Sequence, residues 1–488
     1  MAIITGTEGA DILQGTSVDP LAVPPPGGSS DSGRDTINAL GGDDLIFATT
    51  GEDTINGGNG NDILDFSKTN KDIFLNYNGG GYDSVNFSRR SAPSPSEEAV
   101  LGSAISIETF IGNPNRSNTI NDFGPSRGIT SNTKVDLNLA TGQGTYFGLP
   151  GDIPVTYNFQ NFDNINTLNS QGTFIGNDRD NKITAGNGSV IIGSIGNDEL
   201  SGRTIDYSSL SNAVNISPGW STVGGRSGSS ADISAIGNKG IGTDKIGGNY
   251  RKIIGATNKE NTLEVATRNE AIIDVNLANN SMVATDFFGF AGNRIAYEVV
   301  NFVNFSGGKR NDTIVGSNSN GKLTGGGGND TITGGTGNDR LTGTNSTARG
   351  VGEVDTLTGG GGKDKFILGD RNGAYYLGNG SNDYASITDF NLLNDSIDIG
   401  SLKDYSLAFD GANTIDLFSG KDVNTRDLIA KIQLADLNLA ALSKSSSSRV
   451  GAMSVNASIM GGVATSAVDV ASKIDILSGV NSTADVVI

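Results

Sequence analysis

The stretch Gly57-Gly58-Asn59-Gly60-Asn61-Asp62-Ile63-Leu64-Asp65 fits the nonapeptide G-G-x-G-x-D-x-U-x at every position, U being a large apolar residue. It is the last of four units in register. Across residues 30–65 glycine recurs at Gly33, Gly42, Gly51 and Gly60, and aspartate at Asp35, Asp44, Asp53 and Asp62. An aliphatic residue follows each time, at Ile37, Ile46, Ile55 and Leu64.

The second half of each unit, D-x-U-x, alternates and suits a brief strand with its apolar side chain turned inward. The first half is a tight turn whose glycines take backbone angles that a Cβ would penalise. Turn plus strand makes a half-coil, so two units should make one coil of a parallel roll. A glycine-rich linker with chance aspartates would not hold this register. Stacking then places Asp35 over Asp53 and Asp44 over Asp62. Carboxylates stacked this way repel unless a cation lies between them. Oxygen ligands alone, from aspartate and backbone carbonyls in flexible geometry, favour Ca2+ over Mg2+.

The stride returns at Gly307, Gly316, Gly325 and Gly334 and, after an insertion near Thr344 to Arg349, at Gly350 and Gly359. Its aspartates are Asp312, Asp330, Asp339, Asp355 and Asp364. Arg310 stands in a turn-glycine slot and Gly321 in an aspartate slot. Asp312 with Asp330 can therefore still hold an ion, whereas a site spanning Gly321 and Asp339 should be weak or absent. Isolated units at Gly6 to Gln14 (Asp11) and Gly193 to Ser201 (Asp198) read as single coils.

Composition agrees with a stacked, thin core. The 488 residues include 71 Gly and only 6% aromatics, with no Cys and no His. Repeats of this kind pack only on their neighbours. The net charge of −19 disfavours nucleic acid and anionic membranes as partners. Without metal the chain should repel itself and fold poorly, because binding energy is folding energy in such sites. The opening Met1-Ala2-Ile3-Ile4-Thr5-Gly6 lacks a basic segment and an apolar run, so no secretory signal peptide is expected there. No run approaches the length of a transmembrane helix, and no membrane insertion is expected.

The pattern divides the chain into an N-terminal roll (1–65), an irregular solenoid (66–306), a second roll (307–367), a C-terminal β-rich cap (368–442) and a Ser/Ala/Val-rich tail (443–488). The irregular part contains a duplication of roughly 140 residues. Leu64-Asp65-Phe66-Ser67 matches Ile205-Asp206-Tyr207-Ser208, and Phe110-Ile111-Gly112 matches Ile253-Ile254-Gly255. Val135 to Ala140 matches Ile273 to Ala278, and Asn161 to Ile165 matches Asn301 to Phe305. Insertions at Arg89 to Ser96 and Ser217 to Ser230, and the Pro-rich Pro20 to Pro26, read as loops. A helix is expected over Thr425 to Leu434, where Leu428 and Ile432 are suitably spaced. The tail reads either as a disordered terminus or as a secretion or assembly segment.

These nonapeptides, the duplicated coils and the Asp389-Phe390 cap motif resemble the RTX, or haemolysin-type calcium-binding repeat, family, with a cap most similar to cyanobacterial members. The resemblance implies an all-β fold, a right-handed parallel β-solenoid of the β-roll type that binds several Ca2+ ions. It also implies export by a type I secretion machinery that reads an uncleaved C-terminal signal, and folding outside the cell or at its surface. The family's ligand positions carry over onto Asp35, Asp44, Asp53, Asp62, Asp312, Asp330, Asp339, Asp355 and Asp364. The turn glycines that go with them are Gly33, Gly42, Gly51, Gly60, Gly328, Gly337 and Gly362.

No enzyme is expected. Without histidine neither a zinc HExxH site nor a Ser-His-Asp triad can exist. Carboxylate-based glycan chemistry needs none, and Asp136, Asp163, Asp206 and Asp274 are its candidates; turn or coil-edge roles suit them better. The leading functional expectation is a self-associating surface-layer, sheath or filament subunit. The alternative is a soluble adhesin that binds a cell-surface glycan. Ice binding, suggested by the Thr336 and Asn338 pair, has a single rung.

Overall fold

The computed structural model describes residues 3–14, 35–48, 53–69, 72–77, 84–90, 100–121, 134–147, 154–167, 170–221, 232–238, 242–247, 250–265, 271–286, 292, 294–402, 404–409, 413–420, 422, 424–435, 474–475 and 485–487. None of these is helical. Each D-x-U-x segment is a three-residue strand with U turned inward, and Ile37, Ile46, Ile55 and Leu64 are buried. Alternate units enter alternate sheets: Thr36–Asn38 pairs in parallel with Thr54–Asn56, and Leu45–Phe47 with Ile63–Asp65. Two units thus make one coil, as the spacing predicts. The lone unit at Gly6 to Gln14 joins this stack, with Ile3–Thr5 on Thr36–Asn38 and Ile12–Gln14 on Leu45–Phe47.

The chain forms two compact units, 1–210 with 232–253 and 211–231 with 254–488. Each is a parallel β-solenoid holding one of the nonapeptide blocks. Neither 65/66 nor 306/307 is a structural break. Ile63–Asp65 pairs onward with Thr109–Ile111, and Phe302–Ser306 with Lys322–Gly326. The pairings run along each stack as strips that do not close.

The duplicated regions widen the coils with antiparallel excursions. In the first copy Asp72–Tyr77, Ser84–Arg90 and Val100–Ile105 form one meander, and Lys134–Asn138, Gln143–Phe147 and Val155–Gln160 another. In the second copy Ile272–Asn276, Ser281–Thr285 and Arg294–Val300 reproduce the latter. The expected loops are therefore partly strand: Arg89 and Arg90 belong to Ser84–Arg90, and Ser217 to Ser221 belong to Asn215–Ser221. Residues 91–99 and 222–230 lie outside the described residues, as does Pro20 to Pro26.

Buried asparagines hold these wider coils. Asn118 Nδ2 donates to the carbonyls of Asn113 (2.9 Å) and Asn161 (2.7 Å), while its Oδ1 accepts the Ile73 N–H (3.1 Å). Asn261 does the same in the second copy, donating to Ala256 (2.7 Å) and Asn301 (2.6 Å) and accepting from Val214 (2.9 Å). Both are fully buried. An amide has a donor and an acceptor, so it closes a buried turn with no other partner.

The helix expected over Thr425 to Leu434 is instead the strand Asp427–Leu434. It pairs in parallel with Tyr384–Phe390 and antiparallel with Thr414–Ser419. The spacing of Leu428 and Ile432 suits either period, and sandwiching decides it: Leu428, Ile429, Ala430, Ile432 and Leu434 are all buried. In the tail, Ile474–Asp475 pairs with Ile397 and Asp398, and Asp485–Val487 with Ser406 to Ala408.

Candidate metal centre

The turns bring the predicted aspartates face to face. The Asp35 N–H donates to Asp53 Oδ1 (3.1 Å), and the Asp44 N–H to Asp62 Oδ1 (2.9 Å). In the second roll the Asp312 N–H donates to Asp330 (2.7 Å) and the Asp330 N–H to Asp355 (2.8 Å). On the opposite side the Gly321 N–H donates to Asp339 (2.7 Å) and the Asp339 N–H to Asp364 (2.8 Å). Gly321 thus keeps its place in the ladder while contributing no carboxylate. All nine predicted aspartates are at least 98% buried.

One oxygen of each carboxylate serves this ladder. The other, Oδ2, has no hydrogen-bond partner within the protein at Asp44, Asp62, Asp330, Asp339 and Asp364. Burying a carboxylate oxygen without a partner is costly, and a cation relieves it. At Asp62, Asp330, Asp339 and Asp364 these oxygens face the first glycine of their own units. A Cβ on Gly325 would meet both Asp330 Oδ2 and the Gly343 carbonyl, and one on Gly334 both Asp339 Oδ2 and the Gly359 carbonyl. Carboxylate and carbonyl oxygens therefore converge where a side chain is missing. Among the described residues no three acidic, His or Cys side chains surround one point, so backbone carbonyls or water would complete the coordination shell of an ion held here. This donor set fits Ca2+.

The predicted turn glycines form a second column. Gly60 and Gly362 have φ of 146° and 128°, and a Cβ on either would run into the carbonyl of Gly42 or Gly337 in the next coil. Gly328 packs on the Arg310 carbonyl, so Arg310 preserves the backbone contact of the glycine it replaces. Gly33 and Gly51 lie outside the described residues.

Electrostatics mark the same carboxylates. Burial, reinforced by Glu108, Asp44 and Asp43, pushes Asp62 up to about 6. Burial raises Asp312 to about 7, Asp355 to about 6, Asp364 to about 6 and Asp330 to about 10, the last with added repulsion from Asp355, Asp312 and Glu353. Asp339 and Glu353 are raised by burial too.

Several ladder contacts fall outside the nine-residue stride, and Glu108, Asp244 and Asp395 carry no repeat signature. The Asp11 N–H donates to Asp44 Oδ1 (2.7 Å), and Asp62 to Glu108 Oε2 (2.7 Å). Asp198 donates to Asp244 (2.9 Å) and Asp364 to Asp395 (2.9 Å). The separations of Asp62 from Glu108 and of Asp198 from Asp244 are both 46 residues, against 18 in the first roll and 18 or 25 in the second, because an excursion lengthens the intervening coil. At several ladder ends the second oxygen is supplied with a protein donor. Thr7 Oγ1 donates to Asp11 Oδ2 (3.0 Å), and Asn391 N–H to Asp395 Oδ2 (2.8 Å). Two fully buried tyrosines act alike: Tyr207 donates to Asp244 Oδ2 (2.8 Å) and Tyr376 to Asp355 Oδ2 (2.6 Å). Asp355 thus has a phenol where Asp44, Asp62, Asp330, Asp339 and Asp364 have no partner within the protein.

The four aspartates considered for glycan chemistry have local roles or stand alone. Asp136 pairs with Lys134 (2.7 Å), Asp163 with Arg179 (2.5 Å), and Asp206 accepts the Ser208 N–H (2.7 Å). Asp274 lies on the strand Ile272–Asn276.

Residues 29–64, 306–341 and 342–370 match the RTX calcium-binding nonapeptide repeat (4 copies). No curated protein matches the chain. The matched segments coincide with the stacked, half-satisfied carboxylates, and proteins that carry such repeats are typically secreted. The two rolls of this chain are RTX calcium-binding nonapeptide repeats.

Proposed function

We propose that this protein is a secreted structural component of the cell surface, a surface-layer, sheath or filament subunit whose rolls fold on Ca2+ outside the cell. The observation that carries the calcium dependence is the set of buried, partnerless Oδ2 atoms at Asp44, Asp62, Asp330, Asp339 and Asp364. Millimolar calcium outside a cell completes them; the low calcium inside leaves them charged and repelling, which keeps the chain open for export. Export through a type I machinery accords with this order of events.

The structural role is supported by the solenoid itself, which runs through the described residues of both units. In the coil that begins at Ile3, the strands Ile3–Thr5 and Ile12–Gln14 leave Ile4 and Leu13 only half-buried, with Ile3 and Ile12 exposed by 74% and 75%. Such a coil face suits head-to-tail contact with another solenoid, and a non-closing contact of that kind builds fibres. Electron microscopy of the purified protein in millimolar calcium is the test: filaments or sheets are expected, and strictly monomeric particles at high concentration would rule assembly out.

A second reading, a soluble glycan-binding module, is favoured by one feature. The second unit has an open cleft of about 590 Å3 lined by Asn258, Lys259, Glu260, Asn280, Ser317 and Asn320 among others. Amide, hydroxyl and charged groups of this kind suit sugar hydroxyls. Glycan-array binding without assembly would decide for it.

A further inference from the structure

The register between the second roll and the cap displaces one aspartate. Thr331 lies beside Thr356, so Asp330 faces Asp355 and Gly328 faces Glu353. On the next strand Tyr384 lies beside Val354 and Ala385 beside Asp355. The aspartate ladder therefore meets alanine at this point, and Tyr376 supplies the Asp355 Oδ2 hydrogen bond. Asp383 falls beside Glu353 instead, and Glu353 occupies a turn position that is glycine in the coil beneath.

Both carboxylates are half-used. Glu353 Oε1 accepts the Gly328 N–H (2.8 Å), and Asp383 Oδ2 accepts the Gly352 N–H (3.0 Å). Their other oxygens, Glu353 Oε2 and Asp383 Oδ1, are buried without a partner within the protein, and Asp383 is completely inaccessible. The two strands are tied by the Tyr384 N–H to the Glu353 carbonyl (3.1 Å), which keeps the pair side by side. The neighbouring Thr344 hydroxyl lies within hydrogen-bond reach of both the Gly326 carbonyl (3.2 Å) and the Glu353 side chain. The nearby Arg349 is engaged by Asp370 (3.3 Å) and by the Ala374 carbonyl (2.9 Å). Two buried acidic oxygens without a hydrogen-bond partner within the protein, beside a hydroxyl oxygen, make a donor set for a hard divalent ion.

We propose that Glu353 and Asp383 form a further Ca2+ site, outside the nonapeptide ladder, which fastens the second roll to the cap. It rests on the calcium reading of the rolls, and it differs in its residues and in its test. The test counts Ca2+ ions per full-length chain by equilibrium dialysis in wild type, Glu353→Gln, Asp383→Asn and the double variant. Glu353→Gln keeps Oε1 for the Gly328 N–H, and Asp383→Asn keeps an oxygen for Gly352, so both preserve the turn; circular dichroism in calcium checks this. Each single variant is expected to lose one ion, and the double variant also one, because the two residues share it. An unchanged count would overturn the site and leave a carboxyl pair sharing a proton; a double variant lacking two ions would overturn the shared geometry. Wild type that binds no calcium at all would instead overturn the calcium reading of the rolls, and this site with it.

Discussion

Replacing Asp330 by asparagine should move the stability of the second roll in opposite directions with and without calcium. Burial, then the neighbouring carboxylates, pushes Asp330 up to about 10, against about 4 in an unfolded chain. A folded value above the unfolded one means that the folded protein holds the extra proton. Stability from this group is complete below about pH 4 and declines as pH climbs toward the folded value. At pH 7 the decline spans about three pKa units, or ~4 kcal/mol. Asparagine carries no such penalty: its Oδ1 still accepts the Asp312 N–H, and its NH2 group faces the Gly343 carbonyl. The metal-free variant should therefore gain roughly 2–4 kcal/mol, which raises Tm by roughly 5–15 °C in a unit of this size. With calcium the sign reverses, because Asp330 stands between Asp312 and Asp355. A site filled at a hundredfold excess over its Kd contributes ~2.7 kcal/mol, and two such sites are weakened together. Scanning calorimetry of both proteins, in chelator and in millimolar calcium, reads the two shifts, and hydrogen exchange over 307–367 assigns the transition. A variant that melts lower by the same amount in both conditions would refute the reasoning and leave Asp330 a hydrogen-bonding residue only.

Tyr376→Phe strips Asp355 Oδ2 of its donor and should cost the metal-free protein ~1–3 kcal/mol in urea denaturation; no loss would show that the phenol does not close the ladder. In chelator, Tm should fall as pH rises from about 4 to 7, since Asp62, Asp355, Asp364 and Asp312 all have raised folded values of about 6 to 7. Saturating calcium should abolish or invert this slope, and a chelated Tm that climbs over the same range argues against it. Asn261→Leu removes donors from the Ala256 and Asn301 carbonyls and an acceptor from Val214, and should cost at least ~3 kcal/mol equally with and without calcium. Hydrogen exchange after chelation should show lost protection at 53–65 and 307–367, with the turns around Asn118 and Asn261 retained; uniform loss along the chain would contradict the local character of the switch.

The rolls are legible because their coils are built from two equal units. Asp44 meets Asp62 at a separation of 18, so counting nines in the sequence is the same operation as stacking coils in space. Where an antiparallel excursion enters a coil, the separation becomes 46, and nothing local in the sequence announces that Glu108 or Asp244 faces the aspartate behind it. Tyr376 and Tyr207 were equally hidden, since a buried phenol aimed at a carboxylate has no spacing signature. At 427–434 the failure was of a different kind: apolar positions at Leu428 and Ile432 satisfy both periods, and only the strands on either side select one. The excursions themselves were visible as a duplication, though their strand character at Arg89, Arg90 and Ser217 to Ser221 was not.

Asparagine and aspartate divide the turns of this chain between two solutions to one problem. A buried turn needs an acceptor for the N–H of the adjacent coil and a donor for its own carbonyls. Asn118 and Asn261 supply both from one neutral amide, whereas Asp44, Asp62, Asp330, Asp339 and Asp364 supply only the acceptor and leave an oxygen bare. The first solution works at any calcium level; the second is complete only when a cation takes the place of the missing donor. The bare carboxylate oxygens of this set therefore concentrate metal-free repulsion in the two rolls. Asn181 marks the boundary between the two. It stands where an aspartate would, accepts the Asn177 N–H (2.8 Å), returns a bond to Asn177 Oδ1 (2.9 Å), and still donates its own N–H to Asp198 (2.9 Å). A single change of oxygen to nitrogen thus separates a turn closed within the protein from one that leaves a carboxylate oxygen bare.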